Sequence, residues 1–170
     1  MGAGRLSPPV KVRSRAADSA VMRKFLLVLI LALAVPAAAS AITVPLGWNE
    51  SAGKLMLFRV VAINVEPSGS WGVAATFKNT SGKTLTVTNE FALALFKSAS
   101  DTNPAHAKFL LASQFQPARA HVLKPGQIWS GAFGGAGKIP KGTYVRVVFG
   151  HFSGPGVKGF DWATDHVHRF

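Results

Sequence analysis

The sequence predicts an all-β protein, namely an antiparallel β-sandwich or small barrel of about seven or eight strands preceded by a signal peptide. Short segments rich in β-branched and aromatic residues alternate between apolar and polar positions. Clusters of Gly, Pro, Asn and Ser separate these segments at intervals of roughly ten residues. The periodicity of an amphipathic helix does not occur in the sequence after residue 41. A chain of 170 residues is the size of one domain.

The N-terminal part predicts export. Residues 22–41 read MRKFLLVLILALAVPAAASA, with two basic residues, an apolar run and small residues that end at Ala41. These are the three parts of a secretory signal peptide, and the apolar run is about half the length of a membrane-spanning helix. We interpret residues 1–21 as a non-structural leader, with Met22 as a candidate translation start. Cleavage after Ala41 would leave a secreted or periplasmic protein without a stable membrane span.

The predicted sandwich occupies residues 54–170, behind an N-terminal segment of residues 42–53. Apolar residues alternate within it, so that Trp71, Val73 and Phe77 share one strand face and are expected in the core. Trp129 is expected to fill the core in the same way. The predicted strands are 54–66, 71–79, 84–89, 91–97, 108–115, 127–133 and 143–152.

Composition argues against several classes of function. The chain has no cysteine, which excludes disulfides, thiol catalysis and iron–sulfur clusters. Residues 42–170 hold 13 Lys and Arg against six Asp and Glu, and the basic residues are dispersed rather than clustered, so we expect no nucleic-acid partner. The tripeptide GKT at residues 82–84 lacks the upstream glycine of a phosphate-binding loop. We therefore predict a protein that is not an enzyme and uses no cofactor.

Three segments of the predicted sandwich combine a strand with a characteristic turn: residues 77–85 (FKNTSGKTL), 123–127 (LKPGQ) and 139–142 (IPKG). In this combination the chain resembles the secreted bacterial immunoglobulin-like domains grouped as a domain of unknown function, the DUF4352 type, over residues 57–149. The resemblance implies an immunoglobulin-like fold and an extracytoplasmic location. It implies no catalytic residue, because the group has none in common.

The C-terminal stretch DWATDHVHRF contains the one candidate metal site. On an extended strand His166 and His168 would face the same side, about 7 Å apart. Imidazole and carboxylate ligands suit zinc, copper or nickel, and Asp165 is the nearest further ligand although it has the opposite parity. The third ligand is left open, with Asp161 and the other histidines as further candidates. The terminal Phe170 instead suggests the last strand of an outer-membrane barrel.

These observations favour an exported, non-catalytic immunoglobulin-like module that binds a protein or envelope partner or has an accessory role. Its binding surface would be an edge strand or one of two loops, residues 98–107 and 153–159. Two alternatives remain open at this point. One is an envelope protein that binds metal through its C-terminal histidines, and the other is a small outer-membrane β-barrel.

Overall fold

The computed structural model describes residues 40–170. The predicted leader, residues 1–21, lies outside the described residues, and so does the predicted signal peptide, residues 22–41, apart from its last two positions. In the described part of the chain, no helix is long and apolar enough to cross a membrane.

The predicted all-β sandwich is confirmed, because two antiparallel sheets enclose a common apolar core. The strands of the first sheet are β1 (Ile42–Ala52), β2 (Met56–Val65), β3 (Ser70–Asn79), β7 (Gln114–Gln116) and β9 (Ile128–Ala136). Their order in the sheet is β1-β2-β3-β9-β7. The long central strands pair residue by residue, so that Phe77 of β3 lies beside Phe58 of β2 and Trp129 of β9.

The second sheet is organised around one long strand, β10 (Tyr144–Gly154). Two strands pair with β10 along one of its edges, one after the other: β5 (Phe91–Phe96) and β4 (Leu85–Val87). Two more pair with the opposite edge: β11 (Val157–Ala163) and β12 (His168–Arg169). The outer strands are β6 (Lys108–Leu111) beside β5 and β8 (Val122–Leu123) beside β4.

Aromatic side chains from both sheets fill the core. Phe77 and Phe133 of the first sheet contact Phe91 and Phe149 of the second, with ring centroids 5.1–6.3 Å apart. Offset and edge-on contacts of this kind stabilise a core beyond the area they bury. The predicted core positions of Trp71, Val73, Phe77 and Trp129 are confirmed, since all four are buried.

Three boundaries differ from the predictions. Residues 42–53 are part of the sandwich, because residues 42–52 form edge strand β1, with an irregular pairing between Pro45 and Trp48. The predicted strand 108–115 is two strands, since the chain passes from the second sheet to the first at Ala112 and Ser113. Most of the predicted loop 153–159 belongs to the β10–β11 hairpin, whose turn lies at residues 155–156.

Candidate functional site

The outer face of the second sheet carries an apolar groove. Cross-strand pairing places two rows of residues on this face, Leu111–Ala92–Val148 and Phe109–Ala94–Arg146. The middle strand, β5, supplies the alanines, and alanine is the shortest side chain in each row. The floor of the groove is therefore recessed between the larger side chains of the neighbouring strands.

The groove has a volume of about 490 Å³, which is in the usual range for ligand-binding clefts. β6 contributes Phe109 and Leu111, which are 42% and 65% exposed. Trp162 of β11 forms part of the lining, and Thr102 and Pro104 of the loop after β5 also contribute. That loop belongs to residues 98–107, one of the two loops predicted as a binding surface. Aromatic and aliphatic side chains left exposed beside a recess are typical of a binding surface.

Carboxylates surround this apolar recess. Glu90, Asp161 and Asp165 all line the groove, and they are half of the six acidic residues in the described chain. The Oδ1 of Asp161 also lies 3.0 Å from the ring Nδ1 of His151. Among the described residues that line the groove, Arg146 is the one cation. The groove is thus locally acidic in a part of the chain that carries a net charge of +7.

Beside the groove, Glu50 of β1 binds the backbone that follows β11. Its carboxylate accepts hydrogen bonds from the backbone N–H groups of Asp165 and His166, both at 2.9 Å. It also contacts the ring Nδ1 of His166 at 2.8 Å. The Glu50 side chain is only 4% exposed. This carboxylate therefore ties the edge of the first sheet to the C-terminal segment of the second.

Arg146 binds the same segment from the other side. Its guanidinium donates to the carbonyl oxygen of Thr164 at 2.7 Å, to that of Asp165, and to that of Ala99 at 3.2 Å. The hydroxyl of Thr164 accepts the backbone N–H of Val147 at 3.0 Å, which fixes the segment to β10. A planar guanidinium can serve several acceptors at once in a fixed geometry. We refer to Glu50, Arg146 and the backbone of residues 164–166 as the C-terminal latch.

The two predicted histidine ligands, His166 and His168, make different contacts. The ring of His166 contacts Glu50 and stacks on Trp48, with centroids 5.6 Å apart. His168 pairs with Val145 in β12, and its ring lies edge-on to Phe170 at 4.9 Å. Asp165 lines the groove. Within residues 40–170, no group of three or more His, Cys, Asp or Glu side chains is arranged to hold a metal ion.

A second buried arginine, Arg119, lies at the end of β5 away from the latch. It is 7% exposed, and it donates to the carbonyl oxygen of Val87, to Asn89 Oδ1 and to His121 Nδ1. Its guanidinium also lies 5.9 Å from the centre of the Phe91 ring and 5.7 Å from that of Phe115. Burial lowers the pKa of Arg119, because the charged form is desolvated. All its described acceptors are neutral, so its charge is held by dipoles and aromatic faces.

Glu50 and Arg146 are not among the site residues predicted from the sequence. Arg146 does leave a signal, since it is a charged residue in the middle of the apolar strand TYVRVVFGHF. A buried charge requires compensating polar partners, so this position predicts a polar network around β10. Glu50 leaves no comparable signal, because it lies in a polar stretch and its partners are backbone groups more than 110 residues later.

No protein-family model, curated protein or solved structure matches this chain. The resemblance to DUF4352 domains stays a prediction. Two of the segments that carry it lie in contact, because the Nδ2 of Asn79 donates to the carbonyl oxygens of Lys83 at 2.7 Å and Leu123 at 2.9 Å. These residues join a turn to strand β8 and have a structural role.

Proposed function

We propose that the protein is an exported, non-catalytic binding or accessory module of the bacterial envelope or extracellular space, with the groove on the second sheet as its binding surface. The observation that carries this proposal is the alanine floor flanked by exposed Phe109 and Leu111. Ala92 and Ala94 are already buried, so a ligand that places an apolar group on this floor would chiefly remove the exposed surface of Phe109 and Leu111 from water. Burial of apolar surface is the main driving force of such an association.

The surroundings of the groove favour binding without a large rearrangement. Its floor belongs to β5, which pairs with β10 on one side and β6 on the other. The C-terminal latch fixes the segment that contributes Thr164 and Asp165 to the lining. Binding surfaces built on rigid strands lose little conformational entropy when the ligand binds.

Export and an immunoglobulin-like relationship belong to the same proposal. The supports are the basic, apolar and small-residue parts of residues 22–41 and the motif segments at residues 77–85, 123–127 and 139–142. Mass spectrometry of protein collected from outside the cytoplasm tests the export directly. The mature chain is expected to begin at Ile42, and a product that retains residues 22–41 would contradict the proposed cleavage.

The binding surface is tested by filling the floor of the groove. NMR titration of the isotope-labelled protein with the neutral peptide acetyl-Gln-Ala-Leu-Ala-Gln-amide should shift the resonances of Ala92, Ala94 and Phe109. The Ala94→Leu variant places extra volume in the recess and should abolish these shifts. Ala74→Leu makes the same change on β3, in the other sheet, and should leave them intact. Shifts that are absent from the groove, or that persist in Ala94→Leu, would contradict the proposal.

A further inference from the structure

The distribution of charge around the groove is opposite to that of the rest of the described chain. Residues 42–170 carry a net charge of +7, whereas three carboxylates and one arginine line the groove. The arginine, Arg146, donates to the carbonyl oxygens of Thr164, Asp165 and Ala99. These acceptors are neutral, so Arg146 keeps its charge, and the three carboxylates and one guanidinium give the groove lining a net charge of −2. Its donors point to the backbone, whereas Glu90, Asp161 and Asp165 remain exposed to a ligand.

These carboxylates stand towards opposite ends of the groove. Asp161 pairs with His151 of β10, and Glu90 immediately precedes β5, whose first residue pairs with Phe149. Asp165 lies at the other end, where the backbone of its segment is bound by Arg146. Four to five positions along β10 separate the two ends, which corresponds to roughly 13–17 Å of extended strand. A single ammonium group cannot meet carboxylates at both ends.

The surface between the two ends is apolar. Ala92 and Ala94 form the floor, and Phe109 and Leu111 stand beside it. A complementary ligand has positive charges about four residues apart in an extended chain, with apolar groups between them. Complementary charge at the rim of an apolar interface determines which ligands are accepted and how fast they associate.

From this arrangement we infer that the groove binds an extended basic peptide segment, with Lys or Arg side chains at the acidic ends and apolar side chains over the alanine floor. This inference deepens the proposed function and rests on it. The segment would belong to a secreted or envelope partner that is itself locally basic. The overall charge of this protein repels such a segment, so any preference for it must come from the acidic groove.

The test compares three capped pentapeptides that differ only in terminal charge: Lys-Ala-Leu-Ala-Lys, Gln-Ala-Leu-Ala-Gln and Glu-Ala-Leu-Ala-Glu. In an extended chain the central leucine faces the same side as the two terminal side chains. Affinities are measured by calorimetry at low ionic strength and again in 0.5 M NaCl. The lysine peptide should bind about five- to tenfold more tightly than the glutamine peptide, and the glutamate peptide more weakly than both. Salt should reduce the differences, because exposed charges are screened.

Variants locate the source of the preference. Asp165→Asn keeps the backbone groups that the latch uses, and Glu90→Gln changes an exposed side chain, so both proteins should fold. Each should reduce the advantage of the lysine peptide two- to fivefold. Glu66→Gln removes an exposed acid outside the groove and should leave the advantage unchanged.

The outcomes separate the two proposals. Equal affinity for the lysine and glutamine peptides, with binding lost in Ala94→Leu, would overturn the inferred charge preference and keep the binding function. A lysine preference that is undiminished in both acidic variants would also overturn the inference. Absence of binding by all three peptides would overturn the proposed function together with it.

Discussion

Glu50 and Arg146 hold opposite ends of the same two peptide groups. The carbonyl oxygens of Thr164 and Asp165 accept hydrogen bonds from Arg146, and the N–H groups of the same peptide units, on Asp165 and His166, donate to Glu50. One charge comes from the edge of the first sheet and the other from the centre of the second. The two peptide dipoles are aligned between an anion and a cation. Each charge therefore favours the same orientation of these peptide groups as the other charge does.

Replacement of Glu50 by alanine is expected to lower the free energy of unfolding by about 3 kcal/mol. The carboxylate accepts two backbone N–H groups and contacts the His166 ring while being almost fully buried. Hydrogen bonds to a charged group contribute about 1.5–3 kcal/mol each, and water replaces part of that loss. Urea denaturation measures the change. Glu66→Ala, at an exposed position, should change stability by less than about 0.5 kcal/mol. Similar values for the two variants would contradict the latch.

The two charges of the latch should be energetically coupled although they belong to different sheets. A double-mutant cycle of Glu50→Gln and Arg146→Met is expected to give a coupling free energy of about 1 kcal/mol, because both residues orient the same peptide groups. Arg146→Lys should behave almost like Arg146→Met, since an ammonium cannot reproduce the planar arrangement of donors. Strictly additive effects in urea denaturation would show that the peptide groups do not transmit the interaction.

A carboxylate placed beside Arg119 should stabilise the protein. Asn89 Oδ1 already accepts from this guanidinium, so Asn89→Asp supplies an anion at nearly the same position. We expect a gain of about 0.5–1 kcal/mol at pH 7, discounted because residue 89 is exposed.

The pH dependence identifies the cause of that gain. The neighbouring guanidinium would depress the folded-state pKa of the new carboxyl, so the gain is present above its unfolded pKa of about 3.9 and is lost as the pH falls through the folded value. Thermal denaturation at pH 7 and pH 3 measures this difference. Asn64→Asp, on an exposed part of β2, is the matched control and should show no gain. A gain at pH 3 as large as that at pH 7 would rule out a charge interaction with Arg119.

Much of the fold could be predicted because it depends on local patterns. The alternation from Trp71 to Phe77 identifies both a strand and its buried face, since a period of two has one structural meaning. β1 was missed because Pro45 and Gly47 interrupt its pattern. The structure accommodates them at an edge strand with a shift in pairing, and Gly47 adopts a positive φ of 63°.

The candidate site was less predictable because it depends on contacts between distant segments. The pair His166 and His168 suggested metal binding through its spacing alone, which assumes a continuous strand. Instead, residues 164–167 form a non-strand segment between β11 and β12, and the backbone groups of this segment bind Glu50 and Arg146. The groove also depends on register, since only the pairing of β5 with β6 places Ala94 beside Phe109.

The latch also sets the order in which the native structure can be completed. Glu50 and Asp165 are 115 positions apart, so β1 can complete its contacts with the latch only after residues 164–166 have been synthesised. A chain that has emerged as far as β10 already contains both sheets' central strands, but the tie between the sheet edges is still missing. Closure of so long a loop is characteristic of slowly folding β proteins. A polypeptide passing through a narrow channel with its N-terminus first would remain open along this edge until residues 164–166 had followed.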